Sequence, residues 1–254
     1  MSWAARRRFL ILLILGGVAA AFLTVVSISA FYKTPSCTDN TQNQDEEGVD
    51  CGGSCSYLCT AKEQPPTVLF TKALTNSEGR TDIVASVENR NPGVAAKNVP
   101  YRVKLFDSNQ TLIQEVTGTF DLPPSATQPI YVPGVVSGKR MVTGAFLDIA
   151  SSSLQWFSMP VDSRIVLSVF NRPLSGATSS PRIEAVLTNP SVTTLTNVRA
   201  IVLVRNSKGD VIAASSTIVP AIPGQGQAIA TFTCNSAFPG TPSVIEVIPI
   251  IPLP

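Results

Sequence analysis

The 254-residue chain contains no histidine. That absence removes Ser-His-Asp and Cys-His nucleophile activation, histidine-ligated zinc and the commonest general base. Carboxylate-only and Ser-Lys chemistry are what remain. Charge is scarce as well, at 14% of residues, and aromatics make up only 7%. Nineteen basic residues face 17 acidic ones. Three of the basic ones, Arg6, Arg7 and Arg8, are crowded at the N-terminus, so the rest of the chain is within one charge of neutral. A nucleic-acid binder needs a dense basic face, and this sequence supplies none. Gly-rich phosphate loops and paired-carboxylate signatures are missing too. What is plentiful is proline (20), glycine (16) and apolar residues (44%), a mixture that favours short strands and turns around real cores.

One stretch has no charge at all. "FLILLILGGVAAAFLTVVSISAFY", Phe9 to Tyr32, is 24 residues long. At ~1.5 Å per residue it would reach ~36 Å as a helix, enough to cross a bilayer. Arg6, Arg7 and Arg8 precede it and only Lys33 follows closely. The positive-inside rule therefore places residues 1–8 in the cytoplasm, a membrane span at 9–32 and the remainder outside the cell membrane, with lipid as the first partner. Phe31 and Tyr32 suit the outer interface. A cleaved signal peptide is the competing reading, with Ser27 and Ser29 spaced for a small-x-small site, although such apolar regions are usually shorter. Both readings export the body of the protein.

Residues 33–65 form a cysteine-rich acidic segment and linker. Cys37, Cys51, Cys55 and Cys59 are an even set, and export permits disulfides. Four cysteines allow three pairings, which the sequence leaves open. Zinc is the rival reading, without the usual C-x2-C pairs. Between the cysteines lie Asp39, Asp45, Glu46, Glu47 and Asp50. A segment this polar builds no core and needs staples to hold a shape. Gly48, Gly52 and Gly53 provide for tight turns. Calcium is a candidate ligand of Asp39, Asn43, Asp45 and Asp50 through oxygen donors. An EF-hand loop starting at Asp39 fails, with Thr41 at its third position, Gln44 in place of the sixth-position glycine and Asp50 in place of the last glutamate. A solvated acidic loop is the alternative.

"CTDNTQNQDEEGVDCGGSC" resembles a short cysteine-rich motif of bacterial exported surface proteins, most specifically through "GVDCGGSC". It departs from that motif at Asn40 and Gln44, where glycines are usual, and in the three residues before Cys59. The resemblance implies a small module beside surface domains and names no activity.

Beyond the linker "TAKEQPPT" the chain repeats itself. "NVPYRVKLFDSNQTLIQE" from Asn98 lines up with "NVRAIVLVRNSKGDVIAA" from Asn197 at an offset of 99. Upstream, "VENRNP" faces "VLTNP" with one residue dropped. Downstream, Pro124 faces Pro223 and Phe146 faces Ile245. "YRVKLFD" alternates, with Val103 and Leu105 on one face and Arg102 and Lys104 on the other. "DSNQT" and "NSKGD" read as hairpin turns. The expectation is an all-β protein: two tandem immunoglobulin/fibronectin-III-like sandwiches of seven-strand type, at 66–160 and 161–254, with Val103 and Val202 at equivalent core positions. "IVASVENRNP", "NVPYRVKLFD" and "LPP" also resemble the FxLYD and LEA-like families of extracytoplasmic sandwiches. That resemblance implies architecture and envelope location and carries no catalytic residues.

Other conspicuous residues have structural explanations. Cys234 is expected to be a buried free thiol. Trp156 and Phe157 read as core and domain-junction packing, and Asp107 with Ser108 as a turn. Asn109-Gln110-Thr111 is a glycosylation sequon on a hairpin tip. The leading expectation is a non-catalytic, membrane-anchored binding or spacer protein with an unidentified protein or glycan partner. A structural subunit of an envelope complex is the alternative, and an exported carboxylate or Ser-Lys hydrolase a more remote one. No cofactor other than calcium is expected.

Overall fold

A computed structural model describes residues 3–31, 36–43, 45–76, 78–136, 141–150, 154–176, 179–234 and 236–254. The chain divides into two compact units, Met1–Cys59 and Thr60–Pro254.

The first unit opens with helix α1, Trp3–Phe31. It starts six residues before the expected span, so Arg6, Arg7 and Arg8 ride on its first turns rather than on a separate tail. Arg7 lies over the Trp3 ring, 4.1 Å from its centroid. The apolar side chains of the span are exposed and none of it is buried in protein. A helix apolar on every side has no polar face to give to water and suits lipid or a signal-sequence channel. Thr24 and Ser29 donate their hydroxyls to the carbonyls of Ala20 and Val26 within the helix. Tyr32 and Lys33 fall outside the described residues. The unit ends in the disulfide segment and a two-residue strand, β1 (Tyr57–Leu58).

Among the described residues the second unit has a 3-10 turn at Thr60–Lys62 followed by thirteen strands. The first set is β2 (Thr67–Thr75), β3 (Thr81–Glu88), β4 (Val94–Phe106), β5 (Leu112–Leu122), β6 (Thr127–Val136), β7 (Gly144–Ile149) and β8 (Trp156–Ser158). The second is β9 (Ser168–Asn171), β10 (Arg182–Thr188), β11 (Leu195–Arg205), β12 (Val211–Ile222), β13 (Gln227–Thr233) and β14 (Val244–Ile250). In the first set β2-β3-β6 form one sheet, while β4 is flanked by β5 on one edge and by β7 and β8 on the other. The second set repeats this order as β9-β10-β13 and β12-β11-β14. Among the described residues the first copy thus has the seven strands expected and the second has six, without a counterpart of β8.

The pairing register shows how far the sequence alignment carries. Val103 is opposite Val116 and Val202 opposite Ser215, which keeps the offset of 99. In the companion sheets Val84 faces Tyr131 and Glu184 faces Thr231, an offset of 100. On the last strand Val103 meets Leu147 and Val202 meets Val247, so Phe146 corresponds to Glu246 and not to Ile245. Upstream, the counterpart of Asn189 is Asn89 and not Asn91. Asn89 donates Nδ2 to the carbonyls of Val94 (2.7 Å) and Pro123 (2.8 Å), and Asn189 donates to those of Thr193 (2.8 Å) and Ile222 (3.2 Å). Their Oδ1 atoms accept the backbone N–H groups of Asn91 and Ser191. The matched Asn98 and Asn197 both have left-handed φ, 51° and 52°, a region that asparagine tolerates better than most side chains.

Each copy encloses a core between its two sheets. Ile83, Val103, Leu105 and Val136 form that of the first. Ile183, Leu187, Val202, Val204 and Phe232 belong to that of the second. A third cluster joins the copies: Val84 and Tyr131 pack with Ile201, Leu203, Val211 and Ala214. The sheets are therefore stacked in four layers, and β3 and β11 are covered on both faces. Burying each such aliphatic side chain contributes ~1.5–3 kcal/mol, so the shared layer is a core in its own right. The C-terminal tail adds a clasp. Leu253 packs with Ala95, Phe157 and Met159, and Pro254 accepts a hydrogen bond from Lys97 Nζ. Trp156 is buried and Phe157 lies at this junction, as expected.

Candidate functional site

Two places gather polar side chains: the disulfide segment of the first unit, and a cleft between the two copies in the second.

The disulfides are Cys37–Cys55 and Cys51–Cys59, with separations of 18 and 8 residues. By the loop-entropy argument each contributes ~3 kcal/mol. The two loops overlap, so the segment is crossed rather than chained. Cys37, Cys55 and Glu46 come together, but sulfurs bonded to each other offer no thiolate, and the zinc reading fails here. Glu46 is buried. Its Oε2 accepts the Asn43 N–H at 3.0 Å and its Oε1 lies 3.2 Å from Cys55 Sγ. The glycines act as expected. Gly52 and Gly53 have φ of 77° and 57°, and a side chain on Gly48 would strike the Cys51 and Cys59 sulfurs at 2.9 Å. Asn40 has φ 56°. It stands where the resembling motif has glycine, and asparagine is the other residue suited to that conformation. Gln44, the second departure, lies outside the described residues.

Of the calcium candidates, three are brought together and one is not. Asp50 accepts the N–H groups of Asp39 (2.9 Å) and Asn40 (3.0 Å). Asn43 Nδ2 donates to Asp39 Oδ2 at 2.9 Å. Asp45 instead accepts the Ser54 hydroxyl at 3.0 Å. Asp39 also accepts the N–H and hydroxyl of Thr41. These carboxylates are therefore acceptors for the segment's own turns. Asn43 Oδ1 is buried with no hydrogen-bond partner among the described residues.

The cleft encloses about 850 Å3 between the end of β2, the start of β3, β6, the start of β12 and residues after β13. Its centre is Asp82. This carboxylate accepts Arg80 Nε at 3.0 Å, the Tyr131 hydroxyl at 2.7 Å and the Gly134 N–H at 2.6 Å. Burial, and then the hydrogen bond to Asp82, hold the Tyr131 phenol well above the ordinary tyrosine range. The hydrogen bond to Asp82 likewise raises Arg80, which stays cationic. Cys234 is free and half-buried beside this network. Burial, and then the Asp82 charge, push its thiol up, so it is a poor nucleophile at neutral pH. Nothing in the sequence marked Arg80, Asp82 or Tyr131, because Asp82 and Tyr131 lie 49 residues apart and meet only through strand pairing.

The remaining candidates take turn positions. Asp107 Oδ1 accepts the N–H groups of Asn109 and Thr111, and Asn206 Oδ1 those of Lys208 and Asp210. Asn109 of the sequon is exposed at this hairpin tip.

No family model and no curated protein matches the chain. Among solved structures it is similar to a red sea bream transglutaminase, at 12% identity and a TM-score of 0.25. The match covers 74% of this chain and 31% of that one, so this chain spans under a third of the transglutaminase's length. A likeness that slight carries no argument.

Proposed function

We propose that the chain is a single-pass cell-membrane protein whose β body stands outside the cytoplasm as a non-catalytic binding or spacer module. Its two immunoglobulin-like copies occupy roughly 66–160 and 161–254. The observation that carries this reading is the run of the chain: three arginines, a helix apolar on every side, then crossed disulfides. Arginines before an apolar span favour a cytoplasmic N-terminus. Disulfides persist in oxidising compartments, on the far side of that membrane. Overlapping bridges shorten and stiffen a segment that has almost no apolar core, which suits a spacer above the lipid surface.

The test is topology. With any outer barrier opened, protease added to intact cells is expected to degrade an epitope at the C-terminus while one at the N-terminus survives. Full protection of the C-terminal epitope, with digestion after lysis, would overturn the orientation.

A further inference from the structure

We infer that the cleft between the two copies binds an acidic polysaccharide through the carboxylates of its sugar units, with Lys72 and Arg80 as the anion contacts. The inference rests on the reading of the chain as an extracytoplasmic binding protein and names the ligand class for it.

The size is appropriate, since ligand sites commonly fall at ~300–1,000 Å3 and this cleft measures about 850 Å3. The charge is selective. Lys72 is opposite Val84 in the β2–β3 register and lines the cleft. It is exposed, and its ammonium has no hydrogen-bond or ion-pair partner among the described residues. Arg80 is oriented by Asp82, which takes its Nε. The guanidinium also engages Tyr131, and its solvent-exposed part, 41% of the side-chain surface, is what can receive a carboxylate. Two cations against one carboxylate leave the cleft net positive in a chain that is otherwise close to neutral.

The walls decide between a sugar and a peptide. The hydroxyl-bearing Ser216, Thr233 and Ser236 line the cleft, as does Phe238, a partly buried residue that also packs against the core of the second copy. Hydroxyls that donate and accept match sugar hydroxyls, and an aromatic ring offers an apolar face to a sugar ring. A peptide is usually held by an apolar or aromatic anchor in a desolvated pocket. The polar and apolar groups interleaved here form no such pocket.

The experiment is isothermal titration of the purified full chain in detergent micelles with tetragalacturonate, cellotetraose and tetraglutamate. Saturable binding of tetragalacturonate is expected, at least about tenfold tighter than either comparison ligand and weakening with added salt. Lys72→Ala, at an exposed position, should weaken it about tenfold, and Lys72→Arg should restore most of the loss. No saturable binding would overturn the inference, as would equal binding of the neutral cellotetraose. Equal or tighter binding of tetraglutamate would make the cleft a peptide site, and unchanged affinity in Lys72→Ala would remove the cleft from the interaction. None of these outcomes depends on membrane orientation, so failure here and failure of the topology are read separately.

Discussion

Val202→Asp should abolish the cooperative unfolding transition of the β body at neutral pH. Val202 is fully buried on β11, within the core of the second copy. A carboxylate placed there has no partner, so it is either desolvated as an ion or held protonated. Holding it protonated at pH 7 costs about 4 kcal/mol, given an ordinary aspartate pKa near 3.9 and ~1.4 kcal/mol per unit. Lost packing adds to that. A domain's whole stability is only ~5–15 kcal/mol. The folded-state pKa of the new group is raised above its unfolded value. Its penalty therefore grows as pH rises above about 4 and shrinks as pH falls toward 4. Circular dichroism melts at pH 7 and pH 4 read both effects. Val192→Asp, 82% exposed on a loop of the same copy, is the control and should melt like the parent. A normal melt for Val202→Asp at pH 7 would mean that β11 is not a core strand.

The second large effect concerns Asn89 and Asn189. Each is buried and bonds two backbone carbonyls and a backbone N–H where the chain leaves one sheet for the other. Truncation orphans these groups, and a buried orphan costs ~1–3 kcal/mol. Asn189→Ala should therefore lose about 3 kcal/mol, a fall of roughly 6–12 °C in Tm for a body of this size. Asn89→Ala should lose a similar amount, because the two sites are built alike. Asn109→Ala, on the exposed hairpin tip, should shift Tm by about 1 °C or less. An unchanged Tm in Asn89→Ala would break the equivalence of the copies.

These residues also show what the sequence could and could not tell. The alternation of Val103 and Leu105 with Arg102 and Lys104 was legible because β4 has a core face and a wetter one. The repeat was legible wherever backbone conformation restricts the residue, as at Asn98 and Asn197 with their left-handed φ. The Asn-Pro pairs misled. Shared identity drew Asn91 onto Asn189, whereas the hydrogen bonds make Asn89 the counterpart. Loops change length at no cost to the strands beside them, so an alignment by loop residues slips first. The four disulfide cysteines were legible as a set. Their pairing was not, since it depends on turns made by Asn40, Asp50, Gly52 and Gly53. The shared layer was hidden for another reason. Val84, Ile201 and Leu203 alternate with residues that are themselves buried on the opposite face, and a strand buried on both faces loses its period-2 pattern. The cleft network was invisible because Arg80 and Asp82, at the start of β3, meet Tyr131 and Gly134 of β6 only through strand pairing.

The central claim is that two copies of one sandwich, fused through the layer of Val84, Tyr131, Ile201 and Leu203, act as one cooperative body. Native-state hydrogen exchange of the full chain, followed by mass spectrometry across a denaturant series, tests it most directly. Slow amides of β3 (residues 81–88) and β11 (residues 195–205) should converge on one opening free energy, within about 1 kcal/mol, and exchange together. Exchange of one copy through an opening several kcal/mol cheaper, while the other keeps its protection, would show two independent domains and contradict the claim.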